Sequence, residues 1–150
     1  EVRSMLWRFL HNLLPTQDRL FRLNRMAPDA TCLQCDTGDF DHAWYHTFKS
    51  CPALEPVRDW LRGKLNLLPI YYESIEVALW LQFPSADDDE VLPAVWLVGE
   101  TLTYAWAKRK NRENIDLQAL NAVLAINANY MRKSDKYGAT GERLYEILSL

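Results

Sequence analysis

The segment CLQCDTGDFDHAWYHTFKSC, residues 32–51, contains all three cysteines and two of the three histidines of this 150-residue chain. Cys32 and Cys35 are separated by two residues, and His46 and Cys51 by four, which gives the pattern C-x2-C-x10-H-x4-C. Three thiolates and one imidazole complete the tetrahedral shell of Zn²⁺ and leave no position for water. The spacing therefore predicts a structural zinc site rather than a catalytic one.

His42 is the alternative fourth ligand, because it lies one helical turn before His46. The H-x4-C spacing favours His46. Two other interpretations stay open: the C-x2-C pair can arise by chance, and Cys51 suits an ordinary buried thiol. A segment this polar needs a cross-link to hold its shape, so we expect zinc. A thioredoxin-like redox role is less consistent with the sequence, since no βαβ pattern surrounds the pair.

The composition excludes several classes of protein. Hydrophobic residues make up 49% and charged residues 25%, which is typical of a folded domain and excludes disorder. Five glycines and seven prolines are too few for a turn-rich β-sandwich. No apolar run approaches the roughly 20 residues that span a bilayer, and the start does not resemble a signal peptide. We expect an intracellular protein, nuclear or cytoplasmic, without a membrane partner, and a piece of a longer polypeptide.

Apolar spacing and helix-ending residues predict an all-α, irregular helical domain with a small CCHC zinc knuckle inserted near the N-terminus. Two parts are expected, 1–68 with a helical hairpin and the knuckle, and 69–150 as a helical extension packed on it. The predicted buried positions include Leu20, Phe21 and Leu23 in the helix after Thr16, and Leu120, Val123, Leu124 and Tyr130 in the helix after Asp116. The predicted helices are 2–14, a second capped by Thr16, one opened by Pro52 or Pro56, a short one within 73–83, one from the acidic run 87–90 to about Arg112, one capped by Asp116, and a last one after a flexible joint bounded by Gly138 and Gly141.

About residues 2–61 resemble the zinc-binding region that follows the polymerase in reverse transcriptases of non-LTR (LINE-type) retrotransposons. The family shows, in order, a Trp-Arg, a His-x-x-Leu-Pro-Thr, an Asp-Arg-Leu, a C-x2-C, an acidic stretch, a histidine, an H-x4-C and a later Trp. The corresponding residues here are Trp7-Arg8, His11 to Thr16, Asp18-Arg19-Leu20, Cys32 and Cys35, Asp39 and Asp41, His46 and Cys51, and Trp60.

The resemblance implies Zn²⁺ as cofactor and a role in binding template RNA or target DNA. Its implied protein partner is the polymerase part of a parent polypeptide, an RNA-directed DNA polymerase. This chain departs from the family at its acidic stretch, which reads Asp-Phe-Asp instead of the more usual Glu-Thr, and at the extra His42. Residues 62–150 match only loosely.

Positive charge is concentrated locally, although the net charge is -3. Residues 1–28 hold five arginines against two acids, and 108–112 add four cations. Such a surface binds phosphates, and Trp7, Trp44 or Tyr45 is available to stack on a base. Solvated helix faces and a helix C-terminus explain the same charges, and the six acids within 73–90 oppose a basic surface. The candidate nucleic-acid contacts are Arg3, Arg8, Arg19, Arg22, Arg25, Lys108, Arg109, Lys110 and Arg112.

No catalytic pattern accompanies the zinc motif, since the sequence has no Gly-rich phosphate loop, no HExxH and no nucleophile beside a base. We therefore predict that this chain is not an enzyme. Two functions remain. The first is a zinc-stabilised module that positions template RNA or target DNA, single-stranded or otherwise, for a retrotransposon-type reverse transcriptase. The second is a zinc-stapled helical scaffold that binds proteins and no nucleic acid.

Overall fold

The computed structural model describes residues 2–11, 13–24, 31, 32, 34, 35, 38, 41, 43–83 and 88–150. Helices dominate these residues and none of them lies in a β-strand, which confirms the predicted all-α class. The helices are α1 (Val2–Leu10), α2 (Gln17–Asn24), α3 (Glu55–Leu65), α4 (Ile75–Leu79), α5 (Asp88–Lys110), α6 (Leu117–Met131) and α7 (Gly138–Leu148), with a π-helix (Ala43–Phe48) and a 3-10 turn (Pro52–Leu54) between α2 and α3.

Helix α5 is the centre of the packing. It contacts α1, α3, α6 and α7, and α6 and α7 pack most extensively on each other. The principal partner of α1 is thus α5, and the predicted hairpin between α1 and α2 is not a main contact of the described residues. One buried apolar cluster joins Phe9 and Phe48 to Leu97, Leu120 and Leu144, so the core includes residues from both 1–68 and 69–150.

Three of the helices have a polar capping residue at their N-terminus. The sequence predicts two of these caps, Thr16 and Asp116. Thr16, Ser74 and Asp116 each accept a hydrogen bond from a backbone N–H two or three residues later. Such bonds satisfy amides that have no partner within the helix. The predicted short helix within 73–83 is confirmed as α4. None of the described helices is long and apolar enough to cross a membrane.

The helix ends are set by local backbone geometry. Helix α1 ends at Leu10, before the predicted residue 14, and the chain turns there so that Leu14 is buried. Helix α5 ends at Lys110, two residues before the predicted end. Arg112 has a φ of 55°, and the N–H of Glu113 donates to the carbonyl of Lys108 at 2.8 Å. This closing turn is one that glycine usually occupies.

Several predicted burial patterns are wrong. Phe21 and Leu23 are 39% and 61% exposed, because α2 does not pack its apolar side into the core. On α6, Val123 and Tyr130 are 49% and 67% exposed, since α7 covers the face formed by Leu120, Leu124 and Ala128. Apolar spacing alone did not distinguish these two faces of α6.

The predicted flexible joint at Gly138 and Gly141 is also wrong, because both glycines lie within α7. Gly141 is buried where α7 meets the end of α6. A Cβ atom at this position would lie 2.2 Å from the backbone nitrogen of Arg132 and 2.6 Å from the carbonyl carbon of Met131. Gly141 therefore permits the close approach of the two helices.

Candidate metal centre and its surroundings

Two cysteines enter the centre from the loop before the π-helix. Cys32 is buried and Cys35 is half-buried. The backbone N–H of Gln34 donates to Cys32 Sγ at 3.4 Å. The two-residue spacing thus forms a tight turn in which a backbone amide supports a sulfur atom, as the chelation of a metal by both thiols requires.

The π-helix positions the other two residues. The backbone N–H of Cys51 donates to the carbonyl oxygen of His46 at 2.7 Å, and that of Ser50 donates to the same oxygen at 3.0 Å. The bond from Cys51 spans five residues, which is the π-helical spacing, and π-helical turns are frequent at functional sites. This turn converts the H-x4-C spacing into spatial proximity. Both His46 and Cys51 are buried.

The four residues form one compact cluster. Cys32 Sγ lies 3.9 Å from Cys51 Sγ, and Cys35 Sγ lies 3.2 Å from His46 Nε2. All four ligand atoms lie within 4.8 Å of one another, so the cluster can hold one metal ion. A disulfide between Cys32 and Cys51 would need a sulfur–sulfur distance of about 2.05 Å, which this geometry does not have. His42, the alternative ligand, lies outside the described residues.

The two buried thiols, Cys32 and Cys51, share a hydrogen bond that shifts their pKa values in opposite directions. This bond from Cys51 lowers the pKa of Cys32 to about 4, against the opposing effect of burial. The same bond, together with burial, raises the pKa of Cys51 above its ordinary value. Of the two thiols, Cys32 is therefore the one that loses its proton first. Thiolates are the form in which cysteine binds metals, and a metal ion would displace the proton of Cys51.

A buried ion pair connects this region to α5. Asp41, fully buried, forms an ion pair with the guanidinium of Arg109 and accepts a hydrogen bond from Thr47 Oγ1 at 2.9 Å. Thr47 follows His46 in the π-helix, so Asp41 joins the turn that carries His46 to the last turn of α5. The Arg109 guanidinium also lies 5.2 Å from the centroid of the Trp106 ring, within the range of a cation–π contact.

Arg58, on α3, supports the opposite side of the π-helix. Its guanidinium donates to the carbonyl oxygens of Phe48 at 3.4 Å and of Cys51 at 3.1 Å. Burial lowers the pKa of Arg58, and the nearby acidic groups oppose that shift. These two bonds fix the segment that carries Cys51. Nothing in the spacing around Arg58 predicts a contact with a residue seven positions away, so this contact is evident only in the structure.

The residues predicted to contact nucleic acid differ in their exposure and in their partners. Arg109 is only 8% exposed and its charge is already matched by the buried carboxylate of Asp41, while its contact with phosphate stays a prediction. In the sequence, Asp41 is notable only as an acidic position of the resemblance. Lys108 pairs with Glu113 at 2.5 Å. Arg25 lies outside the described residues, Arg19 is half-buried, and the exposed members of the set are Arg3, Arg8, Arg22, Lys110 and Arg112.

Two of the exposed cations share a groove. Arg8 of α1 and Lys110 of α5 line a depression of about 410 Å³ beside Trp106. A second depression of about 240 Å³ shares Trp106 and Lys110 with the first and adds Arg112 and Gln34. A third, of about 310 Å³, again includes Gln34 and Arg112. We call this run of three depressions the α5 groove, and through Gln34 it reaches the turn that carries Cys32 and Cys35.

Comparison with known proteins gives no relative: no protein-family model, no curated protein and no solved structure matches the chain. The site is therefore interpreted from its own geometry.

Proposed function

We propose that this chain is a zinc-stabilised nucleic-acid-binding module that serves, without catalysis of its own, beside a reverse transcriptase of the retrotransposon type. The observation that carries the proposal is the α5 groove, which gathers Arg8, Lys110 and Arg112 next to the metal cluster. The resemblance over residues 2–61 supplies the polymerase context, and the same stretch contains the metal ligands and Arg8.

Zinc is the ion that suits the cluster best. Bond lengths of about 2.3 Å to sulfur and about 2.05 Å to nitrogen place two sulfurs of a tetrahedron about 3.8 Å apart, and sulfur and nitrogen about 3.5 Å apart. The separations of 3.9 Å between Cys32 and Cys51 and 3.2 Å between Cys35 and His46 lie close to these values. Four protein ligands leave no open position, so the ion would stabilise the loop and take no part in a reaction.

The charge distribution along α5 favours an anionic ligand at one end only. The acidic residues Asp89 and Glu90 lie in its first turn, and Lys110 lies at its last residue. At 1.5 Å per residue these ends are about 30 Å apart, three times the Debye length of about 10 Å at 0.1 M salt. Asp89 and Glu90 are therefore too far from the groove to neutralise its cations.

The groove also has the groups that fix a strand in place. Phosphates would meet Arg8, Lys110 and Arg112, while the amide side chain of Gln34 offers both a donor and an acceptor. Because Gln34 lies between two metal ligands, loss of the metal would remove one wall of the groove. The half-buried ring of Trp106 lies between the first two depressions and is available to contact a base edge or sugar.

The test is fluorescence anisotropy with a labelled single-stranded RNA over a series of salt concentrations. The double variant Arg8→Gln/Lys110→Gln should reduce the slope of log affinity against log salt by about 1.4, which is about 0.7 for each lost contact to a single strand. The matched control is Lys136→Gln/Arg143→Gln, which removes the same charge from a depression at the far end of α5. Equal slopes in the two double variants would contradict the assignment of the groove.

A second function is favoured by a different observation. Helix α6 exposes Val123, Ile126 and Tyr130, an unusual amount of apolar surface for one face of a helix. A zinc-stapled scaffold that binds proteins would use such a face. Absence of any RNA or DNA binding by the wild-type chain at low salt would make this the better description of the protein.

A further inference from the structure

The exposed face of α6 is a regular apolar seam. Ala119, Val123, Ile126 and Tyr130 recur at spacings of four, three and four residues, the a/d pattern of a two-helix interface. Val123, Ile126 and Tyr130 are 49%, 55% and 67% exposed. The opposite face of α6 is already covered by α7, so the seam is additional apolar surface and not a displaced part of the core.

Charge is excluded from the seam and placed at its two ends. The fifteen residues of α6 contain no Asp, Glu, Lys or Arg. Asp116 extends the same spacing by three residues at the N-terminal end, and Lys133 extends it by three at the C-terminal end, and both are exposed. A helix that is acidic at one end and basic at the other is complementary to an antiparallel copy of itself and repels a parallel one.

Side-chain size follows the same symmetry. In an antiparallel pair related by a two-fold axis near the middle of α6, Asp116 faces Lys133, Ala119 faces Tyr130, and Val123 faces Ile126. The smallest residue of the seam is thus opposite the largest, so that the two surfaces interdigitate. The same patch serves on both copies, as an isologous dimer requires.

We infer that α6 is a homodimerisation surface, on which a second copy of this chain packs its own α6 in antiparallel orientation. The contact from Asp116 to Lys133 is about 27 Å long, and one helix pair buries less than the roughly 800 Å² per partner of a standard interface. The dimer is therefore weak and forms with rising concentration. It forms without a folding cost, because α7 already holds α6 as a helix.

Sedimentation equilibrium of the full chain, loaded with Zn²⁺ and measured from micromolar to millimolar concentration, tests the inference. Tyr130→Glu should weaken the dimer by about a hundredfold or more, because two-fold symmetry places two carboxylates in the seam. The matched control is Tyr71→Glu, since Tyr71 is also 67% exposed and lies outside α6. It should leave dimerisation unchanged. Circular dichroism and metal content establish that both variants are folded.

Orientation is tested by Lys133→Glu. In an antiparallel dimer this change sets acids against acids at both ends and should weaken association about fivefold, as two exposed pairs are lost. In a parallel dimer like charges face each other before and after the change, so an unchanged affinity would overturn the antiparallel arrangement. A wild-type chain that stays monomeric at millimolar concentration, or equal effects of the two tyrosine variants, would overturn the inference as a whole.

Discussion

The metal-binding region and the α5–α7 bundle are held together by different forces. Around the cluster, three polar side chains are buried, those of Asp41, His46 and Thr47. The bundle instead buries aliphatic side chains such as Leu97 and Leu144, and α6 contributes no charge at all. The first region depends on a few specific bonds and the second on many weak contacts, so the two should fail in different ways.

The largest expected effect is the loss of the metal, which should change one region and leave the other unchanged. Cys35→Ser, or a chelator, should reduce bound zinc from one ion per chain to none, since a structural site of this kind contributes about 10–16 kcal/mol of binding free energy. Hydrogen exchange should then accelerate in the described part of residues 31–51 while α5–α7 stay protected, because their apolar faces pack independently. Native mass spectrometry gives the stoichiometry. Full occupancy in the variant would refute the site.

The choice of histidine is a separate prediction within the same region. His46→Ala should abolish zinc binding, whereas His42→Ala should leave it intact, because His46 lies in the cluster and has the favoured H-x4-C spacing. His11→Ala is the control for loss of an exposed histidine outside the site. If the His42 variant loses the ion and the His46 variant retains it, the ligand assignment is wrong although the zinc site remains.

Removal of the buried ion pair between Asp41 and Arg109 tests how strongly the two regions are coupled. Arg109→Met should cost about 3–5 kcal/mol of unfolding free energy, because it leaves the Asp41 carboxylate buried without its counter-charge. The double variant Asp41→Asn/Arg109→Met should recover much of that loss. Lys110→Met, at the exposed neighbouring position, should change stability little. Urea denaturation of these three variants shows whether Asp41 is the source of the effect, and a double variant no more stable than Arg109→Met would argue against the pair.

Within the bundle, a single carbon added where α7 contacts α6 should reduce stability the most. Gly141→Ala should destabilise the chain by about 3 kcal/mol, because the new Cβ meets rigid backbone at Arg132. Gly63→Ala, in α3, has no atom within 4 Å of the added carbon and should stabilise by about 0.5–1 kcal/mol. Opposite signs in thermal unfolding would confirm that the contact, and not helix propensity, decides the outcome.

The smallest expected effect is a gain in stability accompanied by a loss of binding. Arg112→Gly relieves the φ of 55° and should stabilise the end of α5 by about 1 kcal/mol. The same change removes a cation from the α5 groove and should weaken RNA binding. Differential scanning fluorimetry and anisotropy, made on one preparation, should therefore move in opposite directions.

The sequence by itself determined what depends on neighbours along the chain. The caps at Thr16 and Asp116 are bonds over two or three residues, and each helix begins where those bonds form. The four residues of the candidate metal site were proposed from two short spacings, because the turns that join Cys32 to Cys35 and His46 to Cys51 are themselves local. For the same reason the all-α class was evident from periodicity.

Tertiary structure alone decided which of two similar neighbours is buried. Arg109 and Lys110 are adjacent cations, yet the 100° step of a helix buries one against Asp41 and leaves the other exposed. Val123 and Leu124 are adjacent aliphatic residues, and only Leu124 faces α7. Gly141 resembled a hinge until the backbone of α6 was placed against it. In each case the deciding partner is an atom on another helix, whose position no local spacing encodes.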